Sequence, residues 1–265
     1  MTHSQPRTTN YLKTLFPTVA LAASAQLWST GLFADDTENT EQSANSWFYG
    51  VTVGVRQSPF AGGKESVSIS PTRLKHGGGL RLNGLARTVY RQPKFNVYLG
   101  IGLDEWSAGR DDSAALADMD ELDRAINVRA GIATALAGGW VTAEAAKDLA
   151  GAHKGMQAKL RYTANIGGSE THEIRPYVEA QWLSAELTDY YVGVDSHEVI
   201  AGRPQYTADA DLTLKAGVGY RYRLSENFTF LGGVHATHYG AEISDSPIID
   251  SDLIWKTSVG LAYRW

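Results

Sequence analysis

Cysteine is absent from the 265 residues of the chain, which excludes disulfide bonds and thiolate metal sites. Basic residues are in the minority: 24 Lys and Arg stand against 29 Asp and Glu, for a formal net charge of −5. This balance argues against nucleic acid as a partner. After residue 35 the chain also lacks an uncharged apolar stretch of the ~20 residues that a membrane-spanning helix needs. A β-barrel is not subject to that requirement, because each of its strands is only half apolar.

The N-terminal segment has the layout of a secretion signal. Arg7 and Lys13 supply positive charge, a long apolar and uncharged stretch follows, and acidic residues come directly after it. We expect a signal peptide over residues 1–34 with cleavage after Ala34. Cleavage after Ala25 and an uncleaved anchor are the alternatives.

The last residues of the chain alternate in polarity with a period of two. One face carries Trp, Thr, Val, Leu, Tyr and Trp, and the other carries Lys, Ser, Gly, Ala and Arg. Side chains of a β-strand alternate between its two faces, so this segment predicts a strand with one apolar face. Its end, with Ser258, Gly260, Tyr263 and Trp265, resembles the C-terminal signal that the barrel-assembly machinery reads in outer-membrane proteins, although a terminal Phe is more usual.

The same period of two recurs along most of the chain. It predicts strands near residues 46–56, 66–75, 78–83, 85–92, 94–105, 125–137, 139–149, 155–166, 172–185, 209–223, 226–240 and 252–265. A soluble barrel turns its apolar face inward, whereas a membrane barrel turns it toward lipid. Aromatic residues at the strand ends favour the membrane barrel. We assign Trp140, Tyr162, Tyr220 and Phe228 to the apolar face as part of one interfacial girdle.

Short and long connections alternate along the chain. Short turns fall near residues 137–139, 167–169 and 225–226, and long loops span about 105–124, 186–208 and 241–251. In outer-membrane barrels the short turns are periplasmic and the long loops are external. Loops 189–206 and 245–249 flank strand 209–223, so we expect them to pack together as a lid over the external mouth.

The fold class predicted from these patterns is all-β: a transmembrane antiparallel up-and-down β-barrel over residues 46–265. Residues 35–45 are polar and predict a disordered periplasmic lead-in. Both ends of the barrel domain should be periplasmic, which requires an even number of strands. About twelve result if residues 66–92 supply three. Pro71 and three consecutive glycines weaken that assignment, and ten strands is the alternative.

Three loop motifs resemble those of one known family. Residues 189–194 read Asp-Tyr-Tyr-Val-Gly-Val, 202–206 read Gly-Arg-Pro-Gln-Tyr, 245–249 read Asp-Ser-Pro-Ile-Ile, and 148–155 read Asp-Leu-Ala-Gly-Ala-His-Lys-Gly. Together they resemble the loops of the MltA-interacting protein (MipA/OmpV) family of outer-membrane proteins. The residues that carry the resemblance are Tyr190, Tyr191, Gly193, Pro204, Tyr206, Asp245, Ser246, Pro247, His153 and Gly155.

The resemblance implies a non-enzymatic barrel in the outer membrane of a Gram-negative bacterium, surrounded by lipid. Some members are described as scaffolds that link a lytic transglycosylase to a penicillin-binding protein. The resemblance therefore implies a scaffold in murein (peptidoglycan) synthesis and hydrolysis. The alternative is a narrow channel or a barrel that binds a small solute.

The polar strand faces carry charged residues that we assign to the lumen: Arg129, Lys159, Arg161, Arg175, Glu179, Lys215, Arg221, Arg223 and Lys256. These residues would form a salt-bridge network that fills a modest barrel, or they would line a conduit. About twelve strands lie between small filled barrels and open porins, so barrel size leaves both readings open.

Candidates for chemistry are weak in this chain. Acidic residues crowd residues 111–123 without the spacing of a calcium loop. His235 and His238 fall on opposite faces of one strand and cannot share a metal ion. Ser196 and His197 lie in a long loop, and no further catalytic partner can be identified from sequence. We therefore predict no catalytic residue, no metal and no cofactor.

Overall fold

The computed structural model describes residues 47–75, 85–104, 110–166, 168–169 and 171–264. The predicted signal peptide (1–34), the lead-in (35–45), the strand at 78–83 and Trp265 lie outside the described residues. Within the described ranges, no helix has the length and hydrophobicity that crossing a bilayer requires.

Eleven antiparallel strands form one sheet among these residues. They are β1 Trp47–Arg56, β2 Ser66–Lys75, β3 Leu85–Gln92, β4 Phe95–Leu103, β5 Ile126–Leu136, β6 Gly139–Asp148, β7 Met156–Ala164, β8 His172–Leu183, β9 Asp211–Arg223, β10 Phe228–His238 and β11 Leu253–Tyr263. From β4 onward the strand ends lie within two residues of those predicted. Period-two polarity is therefore enough to locate these strands.

The order of strands in the sheet brings the first and last strands together. β3 to β11 pair in chain order, and β11 pairs with β1, which pairs with β2. β2 and β3 are the edges, and no pairing joins them within the described residues. β2 ends at the short-turn end of the sheet, where Lys75 lies opposite Trp47. β3 begins at the long-loop end, where Leu85 lies opposite Ile101. Both edge strands therefore run from the long-loop end to the short-turn end. The totals of twelve or ten strands stay predictions.

The sheet has an apolar outer face and a polar inner face. In β11, Trp255 and Val259 are 49% and 56% exposed, while Lys256 and Ser258 are buried. The same alternation runs through β5, where the isoleucine and valine side chains are exposed. This is the arrangement of a barrel that faces lipid, and the reverse of a soluble barrel.

The aromatic girdle is present with one correction. Phe228 is exposed and packs against Tyr263 with ring centroids 4.8 Å apart, and the outward Tyr220 and Tyr222 rings stack in parallel. Trp140, however, is buried inside the sheet against Ala133, so its assignment to the lipid-facing girdle is wrong. The register puts Trp140 on the luminal face of β6, one residue out of phase with the outward positions.

Turn chemistry explains the tightest short connection. Ala137 and Gly138, between β5 and β6, have φ values of 49° and 74°. Two consecutive left-handed residues make the kind of two-residue hairpin turn whose twist matches that of the paired strands. This turn therefore holds β5 and β6 in register at the short-turn end of the sheet.

The long connections pack together at the opposite end. We call residues 57–65, 110–125, 184–210 and 239–252 the lid. They include α1 (Ala185–Val192), α2 (Ala241–Ser244) and two short 3-10 turns. Their buried core is Phe60, Leu116, Met119, Leu183, Leu187, Tyr191, Val192, Val194, Ala208, Tyr239, Ile243, Ile248, Ile249 and Ile254. The apolar core of this protein thus lies in its loops, above a polar barrel interior.

Candidate functional site

The turn between β6 and β7 is organised by one carboxylate. Asp148 Oδ1 accepts the N–H groups of Ala150 and Gly151, and Oδ2 accepts those of His153 and Lys154, at 2.9 to 3.1 Å. A single side chain therefore satisfies four turn amides, as Asp commonly does in turns. The motif at 148–155 is thus a device that fixes the shape of this turn.

His153 joins that turn to the lid. Its side chain is fully buried, its Nδ1 accepts the Gly155 N–H at 2.9 Å, and its Nε2 lies 3.3 Å from Asp104 Oδ2. Because Nδ1 accepts a hydrogen bond, the ring proton belongs on Nε2. The ring centroid lies 5.7 Å from that of Tyr190 and 6.2 Å from that of Tyr191.

Asp104 is the shared acceptor of this cluster. The Tyr191 hydroxyl donates to Asp104 Oδ2 at 2.9 Å, and Gln157 Nε2 donates to Oδ1 at 3.1 Å. Burial, together with the Asp104 carboxylate, raises the pKa of the Tyr191 phenol far above its usual value. Tyr191 therefore stays a neutral donor at physiological pH. Sequence reasoning did not single out Asp104, which directly follows β4.

The two loops predicted to form a lid do pack together. The Ser246 hydroxyl donates to the Val192 carbonyl at 2.5 Å, and the Tyr206 hydroxyl donates to the Glu242 carbonyl at 2.8 Å. Tyr206 also pairs with Val194 through two backbone hydrogen bonds. The predicted packing of the two loops is confirmed, while their external position stays a prediction. The turn at 148–155, which the prediction did not include, joins the same structure through His153.

The other motif residues lie around this contact. A Cβ atom at the buried Gly193 would come 2.5 Å from the Asp189 carbonyl, so the close approach requires glycine. Asp245 and Pro204 are exposed, and Pro247 is half-buried. The motif residues therefore divide into packing residues and surface residues of one lid.

Two arginines that sequence reasoning missed hold the outer part of the lid. Arg110 donates to Glu198 Oε1 and to the Gly193 carbonyl, both at 2.9 Å. Arg203 donates to Asp118 and to the Glu198 carbonyl at 2.8 Å. The hydrogen bond from Arg203 lowers the pKa of the Asp118 carboxyl below its usual value. Part of the acidic loop is thus ion-paired and only part is freely solvated.

Asp120, His197 and Glu198 place ligand-type atoms within 4.8 Å of one another. Both Glu198 oxygens already accept hydrogen bonds, from Arg110 and from the N–H groups of Asp120 and Asp195. His197 Nε2 lies 3.0 Å from Asp120 Oδ2 at the surface, and that contact raises the pKa of the imidazole. Because the Arg110 guanidinium already occupies the buried Glu198 carboxylate, these three residues form a contact within the lid better than they would form a cation site.

The luminal charges assigned from sequence lie on the inner face, and several are paired. Glu179 accepts from Arg161 Nε at 2.6 Å and from Lys215 Nζ at 3.1 Å. Glu144 lies 3.3 Å from Lys159 Nζ and 3.8 Å from Arg129 Nη1. These two carboxylates bridge β5, β6, β7, β8 and β9 across the polar face of the sheet.

The short-turn end of the inner face holds a second cluster. Glu173 pairs with Arg175 and with Arg221, and Arg223 lies two residues further along the same face of β9. At the opposite, long-loop end, Lys256 is buried on β11 opposite Arg56 of β1. Arg56 and Glu173 were absent from the predicted luminal set.

A cavity of about 60 Å³ lies where the lid meets the lumen. Leu187 and Tyr239 of the lid line it, together with Lys215 and Lys256 of the strands. Its lining shows that α1 sits directly over the barrel interior.

Three residues of the predicted assembly signal, Ser258, Gly260 and Tyr263, lie where the last strand pairs with the first. Ser258 is buried, and a Cβ atom at Gly260 would come 2.5 Å from Thr52 Oγ1 on β1. Tyr263 lies opposite both Phe228 and Tyr49. These positions therefore form the joint between the last strand and the first, which explains a structural need for glycine at Gly260.

Known proteins resemble this chain in sequence over most of the barrel. The family model of MltA-interacting protein MipA matches residues 49–265. Outer membrane protein Omp26La of Vibrio anguillarum is 23% identical over 158 residues, 59% of this chain and 60% of its own length. Outer membrane protein OmpV of Vibrio cholerae serotype O1 is 24% identical over 166 residues, 63% of this chain and 62% of its own length. The chain thus spans about three fifths of each relative.

Solved structures that resemble the chain include the CymD monoaromatic hydrocarbon channel, at 11% identity and a TM-score of 0.39, covering 84% of this chain and 90% of that one. Another is the outer membrane protein OprG from Pseudomonas aeruginosa, at 9% identity and a TM-score of 0.25, covering 84% and 97%.

The sequence relatives agree with the inside-out sheet in placing this chain in the outer membrane. The family match covers every strand from β2 to β11 and the loop motifs at 148–155, 189–206 and 245–249. The chain therefore belongs to the MltA-interacting protein MipA family.

Proposed function

We propose that the protein is a non-enzymatic outer-membrane barrel that serves as a scaffold for enzymes of murein synthesis and hydrolysis. The observation that carries this proposal is the covering of the polar inner face: the lid packs over one end of the sheet, and ion pairs cross the inner face below it. A barrel built in this way supports anchoring better than passage. The name of the family, MltA-interacting protein, supports a lytic transglycosylase as one partner.

The docking surface would be at the short-turn end. Murein enzymes work in the periplasm, and the lid emerges at the opposite end of the barrel, so it does not face them. Exposed residues at the short turns include Lys94, Gly138, Ser225 and Glu226. We infer that these turns, which carry little of the packing, contact the partner.

A binding experiment tests the scaffold. Purified barrel is immobilised and incubated with a purified lytic transglycosylase and a penicillin-binding protein. We expect binding that is lost when a bulky polar insertion is placed between Ser225 and Glu226. The matched control is the same insertion after Asp245, which is also exposed but lies in the lid. Absence of binding by the unmodified barrel, or equal loss with both insertions, would contradict the proposal.

The second candidate function is a narrow channel or a solute-binding barrel, and the cavity beneath the lid favours it. This reading requires the lid to open. Single-channel recordings in planar bilayers separate the two candidates. The scaffold predicts no step currents from the unmodified protein, whereas frequent steps of uniform size would favour the channel.

A further inference from the structure

We propose that the outward face at the long-loop ends of β5, β6 and β7 binds the phosphate headgroup of an outer-leaflet glycolipid of the lipopolysaccharide class. The site rests on the predicted external position of the long-loop end and does not rest on the scaffold function. Its central residue is Lys147 of β6, which lies on the lipid-facing side of the sheet.

Lys147 stands between apolar side chains on the outward face. It is exposed, and its register partners on the two neighbouring strands are Val128 of β5 and Met156 of β7. Both partners are exposed as well, at 44% and 43%. Side chains directly opposite each other on paired strands have Cβ atoms about 4.5–5.5 Å apart. The ammonium group of Lys147 therefore projects from a surface that meets lipid.

The height of Lys147 in the sheet suits contact with a headgroup. It is the second-last residue of β6 and so lies at the long-loop end of that strand. A lipid-facing lysine costs about 2–4 kcal/mol at the middle of a bilayer and about 0–1 kcal/mol near its interfaces. At the interface the long side chain keeps its methylene groups among apolar neighbours while its charge reaches the polar layer.

Two further basic residues flank Lys147 at the same end of the sheet. Lys154 lies in the turn between β6 and β7, and Arg124 lies two residues before β5; both are exposed. The Leu149 N–H donates to the Ile126 carbonyl at 2.7 Å, so the pairing of β5 with β6 continues past the end of β6 and keeps these ends side by side. Among the described residues, none of the three basic side chains forms an ion pair.

Carboxylates near this group belong to the lid. Asp123 and Glu186 are exposed there. The hydrogen bond with Ser184 lowers the pKa of the Glu186 carboxyl most strongly, and Lys147 adds a weaker electrostatic effect. Within the described strands β5, β6 and β7, the outward positions hold no carboxylate. An anion that approaches Lys147 from the lipid side therefore meets no competing acid on these three strands.

An outer-leaflet glycolipid has the matching chemistry. Its phosphates are carried on sugars directly above the acyl chains, so one molecule presents phosphate oxygens at the height of Lys147 and hydrocarbon below it. Leu160 of β7, which is 55% exposed, offers apolar surface to those chains. Charge-assisted hydrogen bonds from Lys or Arg to phosphate are strong, and basic groups at a membrane interface recognise lipid headgroups in this way.

Native mass spectrometry tests the site. The folded barrel in zwitterionic detergent is incubated with phosphorylated lipid A, the acylated disaccharide that anchors lipopolysaccharide, with its dephosphorylated form, or with phosphatidylglycerol. We expect a one-to-one adduct with phosphorylated lipid A and much weaker binding of the other two lipids. Lys147→Met should weaken binding roughly tenfold, because it removes a charged donor, and Lys147→Arg should retain binding.

The matched control is Lys94→Met, which removes an exposed lysine at the short-turn end and should leave lipid A binding unchanged. Lys147→Met places an apolar side chain toward lipid, so the variant should keep its heat-modifiable, folded form. The proposal is overturned if phosphorylated lipid A gives no adduct, or if either comparison lipid binds equally well. It is also overturned if Lys147→Met binds as the unmodified barrel does, or if Lys94→Met weakens binding equally.

Two other experiments separate this site from the rest of the functional proposal. An inverted pattern of cysteine labelling in intact cells would place the long-loop end in the periplasm and overturn the glycolipid site. Failure of the barrel to bind murein enzymes would contradict the scaffold and leave the lipid A result unaffected.

Discussion

Gly155 lies where the turn after β6 touches α1, and its lack of a side chain permits that contact. A Cβ atom there would come 2.7 Å from the Leu187 backbone nitrogen and 2.8 Å from Ser184 Oγ. We expect Gly155→Ala to destabilise the lid by about 1–3 kcal/mol, as overpacking does in other cores. Faster proteolysis of the lid in micelles would report this loss.

The matched control for Gly155→Ala is Ala150→Ser, an exposed change in the same turn. It leaves the N–H bond from residue 150 to Asp148 in place, so lid proteolysis should match the unmodified protein. Equal proteolysis rates for Gly155→Ala and the unmodified protein would show that the turn accommodates the added methyl group without loss of lid stability.

Two surface ion pairs make the lid sensitive to pH in opposite directions. The pKa of Asp118 is lowered by its hydrogen bond from Arg203. The stability that this pair contributes is therefore present above about pH 3.8, the ordinary pKa of the carboxyl, and is lost as the pH falls through the lowered pKa. The pKa of His197 is raised by Asp120. The stability that this second pair contributes is therefore present below about pH 6.5, the ordinary pKa of the imidazole, and is lost as the pH rises through the raised pKa. The protection factors of lid amides, which are exchange rates corrected for the intrinsic effect of pH, should be highest between these limits.

One variant tests the acidic side of that pH profile, and a second variant tests its alkaline side. Asp118→Asn should remove the acidic arm and leave the alkaline arm, and His197→Gln should do the reverse. A profile that is flat in the unmodified protein, or unchanged in both variants, would show that neither pair stabilises the lid.

At the scale of the element, β11 tests which face meets lipid. Val259 is 56% exposed in the middle of the strand, and Leu253 is 43% exposed on the same face at its long-loop end. The penalty for a charge on the lipid face depends on depth. Val259→Arg should therefore cost about 2–4 kcal/mol of folding free energy in bilayers, and Leu253→Arg about 0–1 kcal/mol. Equal costs, measured by urea unfolding in liposomes, would mean that the register of β11 is wrong.

The end of β11 also carries an expectation about assembly. Tyr263 pairs with β1 and contacts Phe228 of β10, so deleting residues 263–265 removes both an aromatic assembly signal and the joint of the sheet. We expect no heat-modifiable protein in outer-membrane fractions after this deletion. Trp265→Phe, the commoner terminal residue, should assemble normally. Folded protein at normal levels from the deletion variant would contradict this expectation.

The whole molecule has a polarity that labelling can test. Asp195 and Asp245 are exposed in the lid, and Ser225 is exposed in the short turn at the opposite end. The chain has no native cysteine, so single cysteines can be placed at these sites without background. An impermeant maleimide added to intact cells should label the cysteines at 195 and 245 and leave the cysteine at 225 unlabelled. The reverse pattern would invert the topology.

The sequence by itself determined the strands, the outward face of each strand and the alternation of short turns with long loops. These features follow from local rules. Strand side chains alternate between the two faces with a period of two, and the face that meets lipid is apolar in every strand. The assignment failed at Trp140, because an aromatic residue at a strand end suggested the girdle while the register of β6 put that side chain inside. A local pattern assigns a side chain to the inner or the outer face only where the polarity of the neighbouring residues alternates clearly.

Only the tertiary structure decided which residues meet. Asp104 and Tyr191 lie 87 positions apart, Arg110 and Glu198 lie 88 apart, and Arg56 meets Lys256 through pairing of the first strand with the last. The physical reason is that cross-strand register and loop packing depend on contacts between distant residues, and polarity along the chain carries no record of them. The motifs at 148–155, 189–206 and 245–249 could be recognised as a set from sequence. Their meeting at one end of the sheet, around the same cluster of side chains, required the fold.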